Sequence, residues 1–183
     1  MDIRFIPVDK NNWKRAAEIQ SALFPNDADP YTYESTAGCK PIFPWLSVYK
    51  SWIVEQDGVA VGITGFYAYL DYPDDAWGGY MGVLSGHRSL AVVKAIQDKI
   101  ESELRQQGYK NLRLYTDAEK DATAVKLYEH VGMLREDYYY DDANVILPHT
   151  LIFSKSLTDA PVTPWNNKYL YMDKYAKYLN QTD

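Results

Sequence analysis

The sequence predicts a mixed α/β fold in which helices pack on a twisted central sheet. Two observations carry this expectation. Leu46–Gln56 and Val59–Leu70 are long apolar, β-branched and aromatic runs parted only by Asp57-Gly58, a dipeptide that closes hairpins. On either side of that hairpin, strand-like runs alternate with segments whose apolar residues recur at helical spacing. With 183 residues, 46% of them hydrophobic, the chain is long enough to bury a core as one domain.

Taken in order, Asp2–Val8 reads as a first strand with Ile3, Phe5 and Val8 as its apolar positions. Asp9 or Asn11 is placed to cap a helix on which Trp13, Ala16, Ala17, Leu23 and Phe24 share one face and which Pro25 ends. Asn26–Pro44 is irregular, with a helical turn near Tyr31–Ser35. It reads either as a surface loop with its aromatics tucked in or as a loop that carries function. After the hairpin, Tyr72-Pro73-Asp74-Asp75 turns the chain and Ala76–Val83 returns as a third antiparallel strand. Ser85-Gly86-His87-Arg88-Ser89 is a tight polar turn into the helix Ser89–Gln107, whose apolar stripe is Val93, Ile96, Ile100 and Leu104 and whose C-cap is Gly108. Leu112–Thr116 is a strand. Asp121–Val131 is a helix that buries Ala124, Leu127, Tyr128 and Val131, and Gly132 stops it. Leu134–Asp141 and Val145–Ser154 read as a closing hairpin, and Lys168–Asn180 as an amphipathic helix with Tyr171, Tyr175, Tyr178 and Leu179 on one side.

Charge and cysteine content narrow the function. A formal net charge of -6 argues against nucleic acid or an anionic membrane as the main partner. The lone Cys39 excludes an internal disulfide framework and suits a reducing compartment. No leader-like segment and no apolar run long enough to span a bilayer stands out, so a cytoplasmic protein is expected. His130 and His149 have no partners at metal-ligand spacing, so no metal site is expected.

The stretch Tyr80–Val93, YMGVLSGHRSLAVV, is the first candidate site. A strand ends in a short turn and a long helix begins. The first N–H groups of such a helix lack intrahelical partners, and the positive end of its dipole lies at the same place. Arg88 adds a positive charge with five donors. The turn reads either as a cradle for a phosphate or pyrophosphate, or as an ordinary connection with a solvated arginine.

Two motifs together resemble the Gcn5-related N-acetyltransferase (GNAT) superfamily. The first family pattern, Val-x-Pro-x-x-Arg-Gly-x-Gly-x-Gly/Ala, stands here as Val83-Leu84-Ser85-Gly86-His87-Arg88-Ser89-Leu90-Ala91-Val92-Val93. The second, Asn-x-x-Ala-x-x-Leu-Tyr-x-x-x-Gly-Phe, stands as Asp121-x-x-Ala124-x-x-Leu127-Tyr128-x-x-x-Gly132-Met133. Spacing matches throughout and the resemblance covers roughly Ser51 to Ser154. The second motif is the more specific. In the first, Ser85 replaces Pro, and Ala91 and Val93 replace the small pair.

The resemblance implies a sheet splayed into a V that holds an acyl-CoA. The donor's pantetheine arm would pair with the backbone of Met81, Gly82 and Val83, and its pyrophosphate would rest on the N–H groups of Arg88, Ser89, Leu90, Ala91, Val92 and Val93. Asp121, Ala124 and Tyr128 would also border the donor. Tyr128 would be the general acid beside the sulfur, since a phenol can donate a proton to a thiolate; a half-buried core tyrosine is its other reading. Asp121 stands where the family often has Asn, and helix capping is the alternative role. No general base stands out; Glu34, Asp74, Asp75 and His87 are candidates only as cleft-lining residues, and a water chain is another route. The domain implied is residues 1–157, an acyl-CoA N-acyltransferase-like domain, with residues 158–183 as a C-terminal tail packed on it. The expected activity is transfer of an acetyl group from acetyl-CoA to a primary amine of a small molecule or peptide. Acids at Asp27, Asp29, Glu34, Asp71, Asp74 and Asp75 weakly favour a cationic acceptor. The alternatives are a non-catalytic acyl-CoA-binding or interaction module, and a dimerising domain built on the Tyr-rich helix; a homodimer fits either.

Overall fold

The computed structural model of the chain describes residues 1–139 and 149–179. Within them lie eight strands and five helices in mixed α/β order. They form two compact units, Met1–Tyr109 and Lys110–Asp183. Among the described residues no helix is long and apolar enough to cross a membrane.

The first unit holds β1 (Ile3–Pro7), α1 (Trp13–Leu23), α2 (Pro30–Thr36), β2 (Leu46–Gln56), β3 (Val59–Tyr69), β4 (Asp75–Gly78), β5 (Gly82–Val83) and α3 (Leu90–Gln106). Its strands pair antiparallel in the order β1-β2-β3, with β4 and β5 both on the far edge of β3. The hairpin forms as expected, with Gln56 opposite Val59 across Asp57-Gly58. Two irregularities were not expected, one between Leu46 and Val48 and one between Val54 and Glu55. Glu55 faces Ala60 and Val54 faces Gly62, so Val61 is an extra residue in β3. This bulge separates Val61 from Ile63, two residues on. Val61 joins Val54, Val83, Val92 and Ile96 in one apolar cluster, while Ile63 joins Ile53, Ala16, Ile19 and Tyr33 in another.

The expected strand Ala76–Val83 is broken in two. Phe66 faces Gly78 and Gly79 N–H donates to Gly65 O, but Ile63 faces Gly82. Tyr80 and Met81 therefore stand together opposite Thr64, one residue too many for a regular ladder. Gly62 lets β5 approach: a Cβ there would lie 2.3 Å from Gly82 O.

α1 starts at Asn12 rather than at Asp9 or Asn11. The Asn12 side chain is turned back to accept from Asp9 N, and the Asp9 carboxylate accepts from Asn11 N. The helical turn near Tyr31 is α2, and Asp29 caps it by accepting from Thr32 N and Thr32 Oγ1. Along α3 the buried stripe is Val92, Ile96, Ile100 and Leu104, so Val92 replaces the expected Val93. Either residue can share a face with Ile96, at i−4 or i−3, and the i−4 choice continues the regular fourfold step of the stripe. Leu90, one residue after the cap, is 88% exposed. Gly108 stops the helix at φ 82, with Tyr109 N–H donating to Leu104 O.

The second unit holds β6 (Asn111–Asp117), α4 (Ala122–His130), β7 (Leu134–Asp137), β8 (Thr150–Ser156) and α5 (Met172–Leu179). β8 lies between β6 and β7 and pairs antiparallel with both. The closing hairpin is thus present in its two strands; Asp141 and Val145 lie outside the described residues, as does Asn180 at the end of the last helix. On α4, Ala124, Leu127 and Tyr128 are half-buried and Val131 is exposed, so the expected buried face is only partly covered. α5 begins at Met172, not Lys168, because Tyr171 takes positive φ and cannot be helical.

The segment before α5 is folded rather than loose. Trp165 and Asn166 donate their N–H groups to the Glu136 carboxylate at 2.7 and 3.0 Å, and the indole Nε1 donates to Lys168 O. The guanidinium of fully buried Arg113 lies 5.1 Å from the centre of the Trp165 ring and donates to Ser154 Oγ at 2.7 Å.

Candidate functional site

The turn between β5 and α3 is built by four backbone and side-chain contacts. Leu84 N–H donates to Val61 O at 2.8 Å, and His87 N–H to Leu84 O at 3.2 Å. Gly86 at φ 88 lets the turn close. Ser89 caps α3: its Oγ accepts from Val92 N at 3.3 Å, and its carbonyl accepts from Val93 N at 3.1 Å. Of the six N–H groups expected to face an anion, Val92 and Val93 are thus engaged within the helix end. Those of Arg88, Ser89, Leu90 and Ala91 carry no hydrogen bond among the described residues. Four adjacent donors at the positive end of a helix suit a phosphate group.

The Arg88 side chain is tied back to the end of β5. Its Nε donates to Val83 O at 2.9 Å, which leaves the two terminal nitrogens for an anion. The same bond changes what β5 can offer. Because Leu84 N–H points to β3, antiparallel alternation turns the N–H and C=O of Val83 away from β3. Arg88 takes the carbonyl, so the outward N–H of Val83 is the group left for an extended ligand. Met81 lies in the bulge, and its backbone N–H and C=O make no hydrogen bond among the described residues. Gly82 pairs with Ile63, and the Val83 side chain is core.

In the second unit, Asp121, Ala124 and Tyr128 follow β6. Asp121 occupies the N-cap position of α4, yet its side chain accepts no bond from the helix. Its Oδ2 accepts instead from Thr116 Oγ1 at 2.9 Å, at the end of β6. The Tyr128 ring packs on Phe153 of β8, with centroids 5.2 Å apart. Its hydroxyl takes part in no hydrogen bond among the described residues. Burial first, and the Asp121 charge second, push its phenol above the usual tyrosine value. A phenol so placed stays protonated through the physiological range and can donate.

The candidate bases scatter. Glu34 on α2 pairs with Lys40 at 2.9 Å. Asp75 is buried at the start of β4 rather than solvated, Asp74 precedes it in the exposed turn, and His87 is exposed. Asp29 is the α2 cap, and burial raises its carboxyl above the ordinary value. Three contributors escaped the sequence reading: Gly62, the extra residue at Tyr80–Met81, and Thr116. Gly62 had a signal, a glycine inside an otherwise apolar strand; the other two had none.

A sequence profile of the acetyltransferase (GNAT) family matches residues 13–133, more than half of the chain. No curated protein matches it in sequence. Solved structures share its fold. An acetyltransferase of the GNAT family from Staphylococcus aureus is 16% identical, with TM-score 0.65 over 86% of this chain and 100% of that one. The ribosomal-protein-S18-alanine N-acetyltransferase of Escherichia coli is 17% identical, with TM-score 0.62 over 92% and 100%. Arabidopsis thaliana Naa50, in complex with the bisubstrate analogue CoA-Ac-MVNAL, is 15% identical, with TM-score 0.64 over 85% and 99%. At those identities the structures speak for the fold, and the profile speaks for the lineage: the chain belongs to the acetyltransferase (GNAT) family and is an acyltransferase enzyme.

Proposed function

We propose that the protein is an N-acetyltransferase that uses acetyl-CoA and acetylates a primary amine of a small molecule or peptide. The observation that carries this reading is the run of four unengaged N–H groups, Arg88 to Ala91, at the N-terminal end of α3. The residues present fit such a donor. Arg88, Ser89, Leu90 and Ala91 hold its pyrophosphate, and Met81 with the outward N–H of Val83 aligns its pantetheine arm as an added strand would be aligned. Acetyl-CoA supplies an acetyl group already activated as a thioester. Tyr128 holds a proton on its hydroxyl for the sulfur that leaves. Asp121 and Ala124 complete the motif that carries Tyr128. Both the Naa50 complex, whose ligand joins CoA to a peptide, and the family membership support an amine acceptor.

The test is CoA release from acetyl-CoA with a panel of amines and peptide N-termini, together with the melting temperature. Millimolar acetyl-CoA should raise the melting temperature by mass action. Tyr128→Phe should keep the fold and the acetyl-CoA affinity, and lower turnover by about 10²-fold. Unchanged turnover in that variant removes Tyr128 from the chemistry. Silence of every acyl-CoA in the melting assay overturns the donor.

A further inference from the structure

We propose that Phe24, Tyr49 and Tyr80 line the acceptor subsite and select a primary amine carried on an uncharged, apolar or aromatic group. This deepens the donor reading above and rests on it, because the direction of the donor says where the amine must arrive. The pyrophosphate belongs to the turn after β5, and the arm follows the edge back past Val83 to Met81. The acyl end therefore lies on the Tyr80 side of Met81, and the amine has to meet the thioester carbonyl there.

Aromatic side chains meet at that place, on the face of the sheet that α1 covers. Tyr80 packs against the cluster that joins Ala16 and Ile19 of α1 to Ile53 and Ile63. Its ring centre lies 5.5 Å from that of Phe24, with the planes tilted by 50°. Phe24, at the end of α1, also lies over Gly82, where a Cβ would stand 3.5 Å from Phe24 Cζ. Tyr49 is four residues from Ile53 on β2 and so shares its face. The Tyr49 hydroxyl lies against Gly79, where a Cβ would meet it at 2.8 Å. Phe24 and Tyr49 thus touch the backbone on either side of the bulge, and Tyr80 stands in it. Each of the three is half-buried, so packing fixes the ring while part of its surface stays open. The half-buried carboxylates that α2 and β2 bring to this unit are engaged. Glu34 pairs with Lys40 at 2.9 Å, Glu55 with Arg15 at 3.5 Å, and Asp29 caps α2. Lys50 alternates to the face opposite Tyr49. Aromatic walls with the neighbouring charges already paired favour an apolar carrier, since a charged one would lose water without gaining a partner.

The test measures kcat/KM with the full chain and acetyl-CoA on primary amines matched in size. One arm sets phenethylamine and isoamylamine against 1,4-diaminobutane. The other sets peptides that begin with leucine or phenylalanine against peptides that begin with lysine or glutamate. Apolar carriers should be preferred by about tenfold or more, the scale of an apolar group seated in a pocket, and the faster arm names the source of that group. Phe24→Ala should erase most of this preference by raising KM for the apolar amines, with the affinity for acetyl-CoA unchanged. Phe24→Leu keeps an apolar side chain on α1 and should shift the preference from aryl to alkyl amines. A readout without turnover is calorimetric binding of N-acetylphenethylamine to the enzyme–CoA complex, which Phe24→Ala should weaken. Equal or better use of the charged amines overturns the proposal, as does a Phe24→Leu variant with the wild-type order of amines. An enzyme that binds acetyl-CoA but shows no preference sinks this inference alone. Silence toward every acyl-CoA in the melting assay sinks the donor reading and this one with it.

Discussion

Arg88 serves two purposes with one side chain. Its Nε anchors Val83 O, and in the proposed function its two terminal nitrogens serve the donor's phosphate. Arg88→Ala should weaken acetyl-CoA binding roughly tenfold at low salt, the scale of one charge-assisted hydrogen bond. At high salt the gap to wild type should narrow, because mobile ions have already screened the charge. Arg88→Lys should recover only part of the loss, since an ammonium has no fork to spend on Val83 O and a phosphate together. Isothermal titration of acetyl-CoA at two ionic strengths checks all three statements. A gap that does not depend on salt would assign Arg88 to the turn's geometry alone. At this scale the sequence was informative about residue type and less so about use. Arg88 read as a free charge, but its Nε is tied to the backbone. Asp121 read as a cap or a cofactor contact; its side chain does not cap the helix but accepts from Thr116, a partner five residues earlier that no helix pattern points to.

Among the elements, those fixed by local chemistry were legible. The β2–β3 hairpin follows from alternation and Asp57-Gly58, and the end of α3 follows from Gly108. What failed depends on partners distant in sequence. The strand Ala76–Val83 looks continuous because nothing in it reports that two residues must oppose Thr64. The close seating of β5 makes a prediction. Gly62→Ala puts a methyl 2.3 Å from Gly82 O, a contact that only backbone movement relieves. The variant should lose about 1–3 kcal/mol of stability, as overpacked sites do, and bind acetyl-CoA more weakly. Gly58→Ala, where a Cβ meets nothing within 4 Å but φ is +82, is the control that should cost stability without touching affinity. The segment before α5 was read as a tail, and Arg113 as one strand residue among others. Together they make a buried contact, because Trp165 covers the guanidinium. Trp165→Ala should cost about 3–5 kcal/mol, measured by urea unfolding; a loss under about 1 kcal/mol would mean that the segment is dispensable.

For the molecule as a whole, its 17 tyrosines make alkaline pH the revealing condition. Burial, reinforced by the Asp29 charge, pushes the Tyr33 hydroxyl far above its usual value, and burial also raises Tyr128 and Tyr109. A group that holds its proton more tightly folded than unfolded contributes fully below the unfolded value and loses that contribution as pH rises through the folded one. Stability owed to Tyr33 should therefore be level below about pH 10 and fall above it by up to ~1.4 kcal/mol per pH unit. Tyr33→Phe should flatten the decline in denaturation midpoint between about pH 10 and 12. An unchanged slope would mean that Tyr33 ionises freely in the fold. One feature of the sheet bears on kinship rather than on energy. The extra residue at Tyr80–Met81 sets the length of the edge that carries Met81 and Val83. A relative with every motif of this chain but one residue fewer there would have a regular ladder, with the Met81 position drawn into it. Chain length at that point therefore decides the register of the edge, which residue identities alone do not report.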